Sequence, residues 1–331
     1  MLKNQWNSTV RRLAVVAAAT AILPLSATNA LAQAWPAKPI KIIVPTGAGS
    51  APDVVARLVA DKLSTALGQG VIVDNKPGAG GIPGMSALAR SPNDGYTIGF
   101  VPAAMATITP LVYKNPQFNP ETDLQPVATV GTSPMLLATN AASGINSLAD
   151  LTRHAKANPG KSNFAAPQIN SLPHLAGEMV SKVAGMGLFT VPYPAAPAAV
   201  MALLAGDAAM TVDGLPGLLP HVKSGKLKAI AVTSARRLPD FDNIPTVAET
   251  YPGFEVTGWF QIFLPAGTPQ PIVERLNAEI NKITQSPDVA ARMTDFGVYP
   301  RQDSVAGARE FFSAQQKAMK KLVTDLGIQP Q

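Results

Sequence analysis

Residues 40–63 read IKIIVPTGAGSAPDVVARLVADKL, and their reading decides the fold. Ile40, Ile42, Ile43 and Val44 form a short β-branched run bounded by prolines, the pattern of a buried strand. Pro45 ends it. Gly47 and Gly49 allow a tight turn that exposes backbone N–H groups. Ser50 stands three residues before Asp53, a Ser-x-x-Asp capping box ahead of an apolar run. Pro52 falls in the first helical turn, where a missing N–H costs little. Val54, Val55, Leu58, Val59 and Leu63 share one helical face. The unit is therefore strand, glycine loop and helix N-terminus. Its free N–H groups and the positive end of the helix dipole favour an anion such as a carboxylate or phosphate.

The same rhythm recurs down the chain. Val71–Val73 is a second strand, followed by a loop at 74–81 and a helix from Pro83 to Arg90. Residues 96–101 are a third strand, and Pro102-Ala103-Ala104-Met105 begins another strand-to-helix turn. Residues 127–138 read as one or two strands near a boundary. Beyond them, strands at 163–166, 190–193, 209–213 and 227–233 alternate with helices at 147–157, 171–184, 198–204 and 218–224. The closing segment has a strand-like run at 256–264, then helices at 271–285, 288–296 and 304–326. Alternating strands and helices predict parallel, doubly wound sheets, in which ligands bind beyond the carboxyl ends of the strands. The economical arrangement is two α/β lobes. The chain crosses to the second near residue 135 and returns near 253, and two crossings make a hinge with a cleft.

The N-terminus reads as a targeting segment. Lys3, Arg11 and Arg12 precede the apolar run Leu13–Leu25, and Ala30-Leu31-Ala32 is a small-x-small cleavage site, so residues 1–32 are predicted to be a signal peptide. The apolar run is short for a membrane span and Pro24 breaks it. Export to the periplasm follows. The chain carries 27 Lys and Arg against 21 Asp and Glu, a net charge of +6. Removing the first 32 residues removes three of the cations and none of the anions, which leaves +3. That is too mild a balance for a nucleic-acid partner, and no basic stripe interleaved with aromatics appears. The chain has no cysteine, hence no disulfide framework and no thiolate chemistry.

The loops carry the candidate site. Thr46, Gly47, Ala48, Gly49 and Ser50 form the first, and Ala103 opens the third strand's turn. Gly47-x-Gly49 lacks the third glycine of a dinucleotide fingerprint, since Pro52 stands there, and Gly78-Ala79-Gly80-Gly81 is followed by no Lys-Ser/Thr pair. Ser171 precedes a helix and sets a second anion-ready terminus opposite the first. His174 and Glu178 have i,i+4 spacing, but two ligands do not make a zinc site, so no metal or cofactor is expected. His174 either bonds locally or reaches a ligand as a donor. Tyr193 either meets a ligand or packs at the hinge. Asp213 either reads a ligand amine or hydroxyl or caps the helix that follows it. Trp259 and Phe260 read better as core than as cleft. Enzymatic readings have little to stand on: there is no Gly-x-Ser-x-Gly elbow, and His154, His174 and His221 are the only histidines. A hydrolase of a small carboxylate ester and a sensor module stay open as alternatives.

Several stretches in order resemble the Bug-type receptors, the periplasmic solute-binding components of tripartite tricarboxylate transporters. Beside the opening stretch they are VIVDNKPGAGGIPG, LARSPNDGYTIGF, SLPHLAGEMV, VPYPAAPAAVMALLAG, LPHVKSGKLKAIAVTSARRLPDFDNIPTVAET and FLPAGTPQPIVERLNAEI, which together span the mature chain. The resemblance implies a two-lobe periplasmic-binding-protein architecture of type II, the Venus flytrap, each lobe a mostly parallel sheet flanked by helices. It places lobe 1 at 33–135 plus 253–331 and lobe 2 at 136–252. It implies a monomer without catalysis that holds a small carboxylate, a mono- or dicarboxylate, aliphatic or aromatic, through N–H groups and hydroxyls of both lobes and delivers it to the membrane components of the transporter. Some positions depart from the family pattern. Thr46 and Gly49-Ser50 stand where an apolar residue and a Gly-Gly pair are usual, and Asn170 stands where glycine is common. Pro194-Ala195 replaces a usual Lys/Arg-Gly, and Ala202 replaces a usual aspartate. Pro194 and Ala202, lacking the usual cation and carboxylate, suit a less polar distal pocket for an aliphatic or aromatic di-acid.

Overall fold

A computed structural model describes residues 35–330, so the expected signal peptide lies outside the described residues. Among the described residues, eleven strands and their helices build two sheets. β1 (Ile40–Val44), β2 (Val71–Asn75), β3 (Thr97–Pro102), β4 (Leu124–Ser133), β10 (Gly258–Pro265) and β11 (Tyr299–Pro300) form the first, in the order β11-β4-β10-β3-β1-β2. β5 (Met135–Asn140), β6 (Asn163–Pro167), β7 (Phe189–Tyr193), β8 (Met210–Gly214) and β9 (Leu227–Val232) form the second, in the order β7-β6-β8-β5-β9.

Both sheets are mixed. β1 is parallel to β2 and β3, and β6 is parallel to β7 and β8. These pairs come from strand–helix–strand units, whose crossover returns the chain to the starting end. β10 instead runs antiparallel to both β3 and β4, and β5 runs antiparallel to both β8 and β9. β5 and β10 are entered from the other sheet, and such a strand is not held to the parallel sense. The parallel units named in the sequence are present; the strands that link the sheets add the antiparallel share.

β10 is buried along its whole length, between β3 and β4. The second sheet shows a period-2 alternation that covers both faces. Met135 and Leu137 of β5, with Phe164 and Ala166 of β6, join one core cluster. Leu136 and Ala138, with Ala165, join another, alongside Leu203, Leu218 and Val232. Gly177 in helix Leu172–Val183 is where Phe164 lies; a Cβ there would come within 2.1 Å of its ring.

The link between β4 and β5 is a single residue, Pro134, and β10 begins beside it. Gly258 pairs with Ser133, and a Cβ on Gly258 would sit 2.9 Å from the Ser133 carbonyl oxygen. Thr233 ties the same region together: its hydroxyl accepts from Met135 N at 3.0 Å, and its carbonyl accepts from Val256 N at 3.1 Å. Helix starts match the sequence reading to within a residue or two, except that helix Leu215–Lys223 begins three residues before the expected 218. Among the described residues no helix is long and apolar enough to cross a membrane.

Candidate functional site

The turns after β1, β3, β6 and β8 open on one cavity of about 620 Å³. Each leads directly or within a few residues into a helix: Ala51–Leu67, Ala103–Thr107, Leu172–Val183 and Leu215–Lys223. Three of these helices carry proline at their second position, namely Pro52, Pro173 and Pro216. These helix starts set the positive ends of their dipoles toward the space, and the proline leaves one fewer N–H to satisfy there. Ser133, Met135 and Gly258, from the links between the sheets, also line it.

The wall carries Thr46, Ser50, Ser171 and Asp213. Gly47, Ala48, Gly49, Ala103, His174 and Tyr193 do not line it. Ala103 is buried, and its successors Ala104 and Met105 line the cavity in its place. Tyr193 packs against the cluster of Leu136, Ala165 and Leu203, and its carbonyl accepts from Gln168 N at 2.9 Å. Trp259 and Phe260 line the cavity while 1% and 7% exposed, so they are core residues whose edges reach it. Trp259 Nε1 is engaged by Gln315 Oε1 at 3.2 Å.

Four hydroxyls on the wall, those of Thr46, Ser50, Thr109 and Ser171, are engaged within the protein. Ser50 Oγ donates to the Gly47 carbonyl at 2.7 Å. The 3.0 Å contact between Thr46 Oγ1 and Ser50 Oγ must then take its proton from Thr46, since a hydroxyl has one to give. Ser171 Oγ donates to the Pro167 carbonyl at 2.7 Å and accepts from His174 N at 3.3 Å. Thr109 Oγ1 donates to the Gly80 carbonyl at 2.7 Å. These side chains shape the turns. The Ser171 cap forms as the sequence suggests, but its hydroxyl proton is directed inward.

The expected Ser50–Asp53 capping box does not form. Ser50 makes no side-chain cap bond, and Asp53 Oδ2 accepts instead from Gly49 N at 2.8 Å. Asp53 is 2% exposed and receives further bonds from Arg57 Nε at 3.1 Å, Arg57 Nη2 at 3.0 Å and Asn75 Nδ2 at 2.9 Å. Asn75 also donates to the Thr46 carbonyl at 3.1 Å. Burial pushes the Asp53 carboxyl up, but Arg57, Gly49 and Asn75 together outweigh it and hold the carboxyl below its ordinary value. The Gly49 N–H, expected to face an anion, is thus occupied by the protein's own carboxylate. Sequence reasoning passed over Arg57 and Asn75. The i,i+4 spacing of Asp53 and Arg57 was the available signal; Asn75 arrives from β2 and had none.

The second turn is strained. Gln168 and Asn170 have φ of +39° and +62°, in the left-handed region, with Ile169 exposed between them. Asn170 thus occupies a backbone position suited to glycine, and asparagine is among the residues that tolerate it. His174 is 7% exposed and lies behind the turn rather than on the wall. Its Nδ1 accepts from Asn170 N at 3.2 Å, and its Nε2 lies 3.6 Å from Glu178 Oε1, which also accepts from Thr190 Oγ1. The pair with His174 and the bond from Thr190 hold the Glu178 carboxyl below its ordinary value, against the opposing effect of burial.

Among the described residues, Asp213 is the sole charged one on the wall. Burial pushes its carboxyl up to about 6, opposed by one bond from the Gly214 N–H. Apolar side chains supply much of the remaining surface, among them Met105, Val112, Ile169 and Leu172. Among the described residues, no group of three or more His, Cys, Asp or Glu is placed to hold a metal ion.

Residues 55–328 match the family model described as tripartite tricarboxylate transporter family receptor. A UPF0065 protein of Bordetella bronchiseptica is 37% identical over 312 residues, covering 94% of this chain and 92% of that one. Protein BugT of Bordetella pertussis is 36% identical over 299 residues, covering 89% of this chain and 91% of its own. Among solved structures, a protein of R. palustris with adipate superposes with a TM-score of 0.79 at 30% identity, over 90% of this chain and 100% of that one. The periplasmic binding protein BugD gives a TM-score of 0.75 at 32% identity, with the same coverage. MatC of Rhodopseudomonas palustris with bound malate gives 0.74 at 25%, over 87% of this chain and 100% of that one.

Proposed function

The chain belongs to the tripartite tricarboxylate transporter receptor family, a family of periplasmic binding proteins rather than enzymes, and from that premise we propose that it captures a small carboxylate in the cavity described above. The observation that carries the reading is the meeting of the β1 and β6 turns on one cavity, each leading into a helix N-terminus. Relatives of this fold were solved with adipate and malate, both carboxylates.

The residues divide the work differently from a simple hydroxyl clamp. The carboxylate is held chiefly by backbone N–H groups at the starts of helices Ala51–Leu67 and Leu172–Val183, and by the side-chain amides of Gln168 and Asn170. Thr46, Ser50 and Ser171 keep the two turns in shape. The network of Asp53, Arg57 and Asn75 braces the first turn from below. Bonds to a charged carboxylate gain strength when water is excluded. Lobe 1, at 33–135 plus 253–331, closes on lobe 2, at 136–252, about the links at Pro134 and near Gly258. The chain is exported to the periplasm, its signal peptide is cleaved near Ala32, and the mature monomer passes its ligand to the membrane components of a tripartite transporter.

A thermal-shift screen of mono-, di- and tricarboxylates, followed by calorimetry, tests the reading. A true ligand raises the melting temperature with concentration by mass action. A folded protein that responds to no carboxylate sinks the proposal, and turnover of a hit would move it to an enzyme class.

A further inference from the structure

We propose that Asp213 selects the ligand, so that the site prefers a carboxylate carrying a second group that donates a hydrogen bond, an ammonium or a hydroxyl, over a dicarboxylate dianion. This rests on the reading of the cavity as a carboxylate site and goes beyond it by naming the second functional group.

Asp213, the penultimate residue of β8, stands on the cavity wall, where among the described residues no Lys, Arg or His accompanies it. β8 neighbours β6, with Ala165 paired to Thr211, so Asp213 lies about one strand spacing, ~5 Å, from the root of the Gln168–Ser171 turn. Among the described residues, the donor to its carboxylate is the Gly214 N–H. A carboxylate has about four acceptor sites, so most of its capacity is left for whatever fills the cavity. Gly217 permits this placement: a Cβ there would sit 2.9 Å from Asp213 Oδ2. The hydroxyls of Thr46, Ser50, Thr109 and Ser171 donate to protein acceptors, so they do not shield this charge.

A dianion placed here would set its second carboxylate in a cavity where, among the described residues, there is no cation and one fixed anion. Like charges in a space partly cleared of water repel strongly, and such an unfavourable pairing is an effective way to reject a competitor. An ammonium or hydroxyl on the ligand would use the open acceptor sites of Asp213 and remove the cost of leaving them unpaired. The apolar wall formed by Met105, Val112 and Ile169 suits the carbon chain between the two groups.

Calorimetry with matched pairs at about pH 8, where ligand and protein carboxyls are ionised, tests the proposal. The pairs are malonate with β-alanine, succinate with γ-aminobutyrate and γ-hydroxybutyrate, and adipate with ε-aminohexanoate. Butyrate and hexanoate, which lack the second group, report the first carboxylate alone. In the tightest-binding pair the amino or hydroxy acid should win by about tenfold, the worth of one hydrogen bond to a charged group. Asp213→Asn should abolish that preference, so that diacid and partner bind alike, and Asp213→Ser repeats the test should the first variant lose its cooperative melt. Diacids that bind as tightly as their partners in the unaltered protein overturn the selection by Asp213 and leave carboxylate binding intact. Failure of every acid, butyrate and hexanoate included, overturns the carboxylate reading as well.

Discussion

The backbone N–H of Asn170 donates to Nδ1 of His174 at 3.2 Å, tying a residue with φ of +62° to a side chain buried one helical turn further on. The imidazole is thereby an acceptor at Nδ1 and carries its proton at Nε2, toward Glu178. His174 lies behind the turn, where it bonds locally and keeps the strained turn in the shape that lines the cavity.

His174→Ala is expected to cost about 1–3 kcal/mol of stability, from the lost bond and the donor left without a partner. Amide exchange should rise most at residues 168–171. His174→Asn should recover much of the loss, because Oδ1 of asparagine can stand in for Nδ1. Equal exchange in the two variants would remove the Asn170 bond as the cause. Adding Asn170→Gly should make the turn less dependent on position 174, since glycine adopts positive φ freely.

Asp53→Asn should lower stability at neutral pH by about 1–3 kcal/mol, as bonds to a charged acceptor are weakened. The Asp53 carboxyl is held below its ordinary value in the folded chain, so its contribution is present above the unfolded value of 3.8 and is lost as pH falls through the folded one. The gap in melting temperature between the natural protein and the variant should therefore close under acid. A gap constant down to about pH 3 would show that the loss came from shape rather than charge.

Asp213 has the opposite sign. Its folded value is raised to about 6 from 3.8 by burial, so the folded chain keeps a proton that the unfolded chain has released. The resulting stabilisation is full below the unfolded value and is lost as pH rises through about 6. Asp213→Asn should thus melt higher than the natural protein above that pH, with the advantage shrinking on the acid side. Melting curves recorded across this window check it; a variant that gains nothing at neutral pH contradicts the assigned burial.

Gly258→Ala should destabilise by about 1–3 kcal/mol through overpacking, because its Cβ would meet the Ser133 carbonyl oxygen at 2.9 Å. Ligand affinity should fall with it, since both residues line the cavity. Chemical denaturation paired with calorimetry measures both, and an alanine that leaves both unchanged would mean the link between the sheets gives way easily.

Much of this molecule was determined by sequence alone. The β-branched run at 40–44, the prolines in first helical turns and the recurrence of that unit set the α/β class and the order of its elements, because local periodicity and backbone sterics act within a few residues. The same local signals placed Thr46 and Asp213 at strand ends and Ser50 and Ser171 at helix starts, and all four line the cavity wall. Tertiary structure decided the rest, because hydrogen-bond partners depend on what arrives from elsewhere in the chain. The Gly49 N–H looked free until Asp53, steadied by Arg57 and by Asn75 from β2, accepted it. The Ser171 hydroxyl looked outward until the Pro167 carbonyl took its proton. The mixed sense of the sheets and the close passage of Gly258 by Ser133 follow from the links between the sheets, which no local pattern encodes.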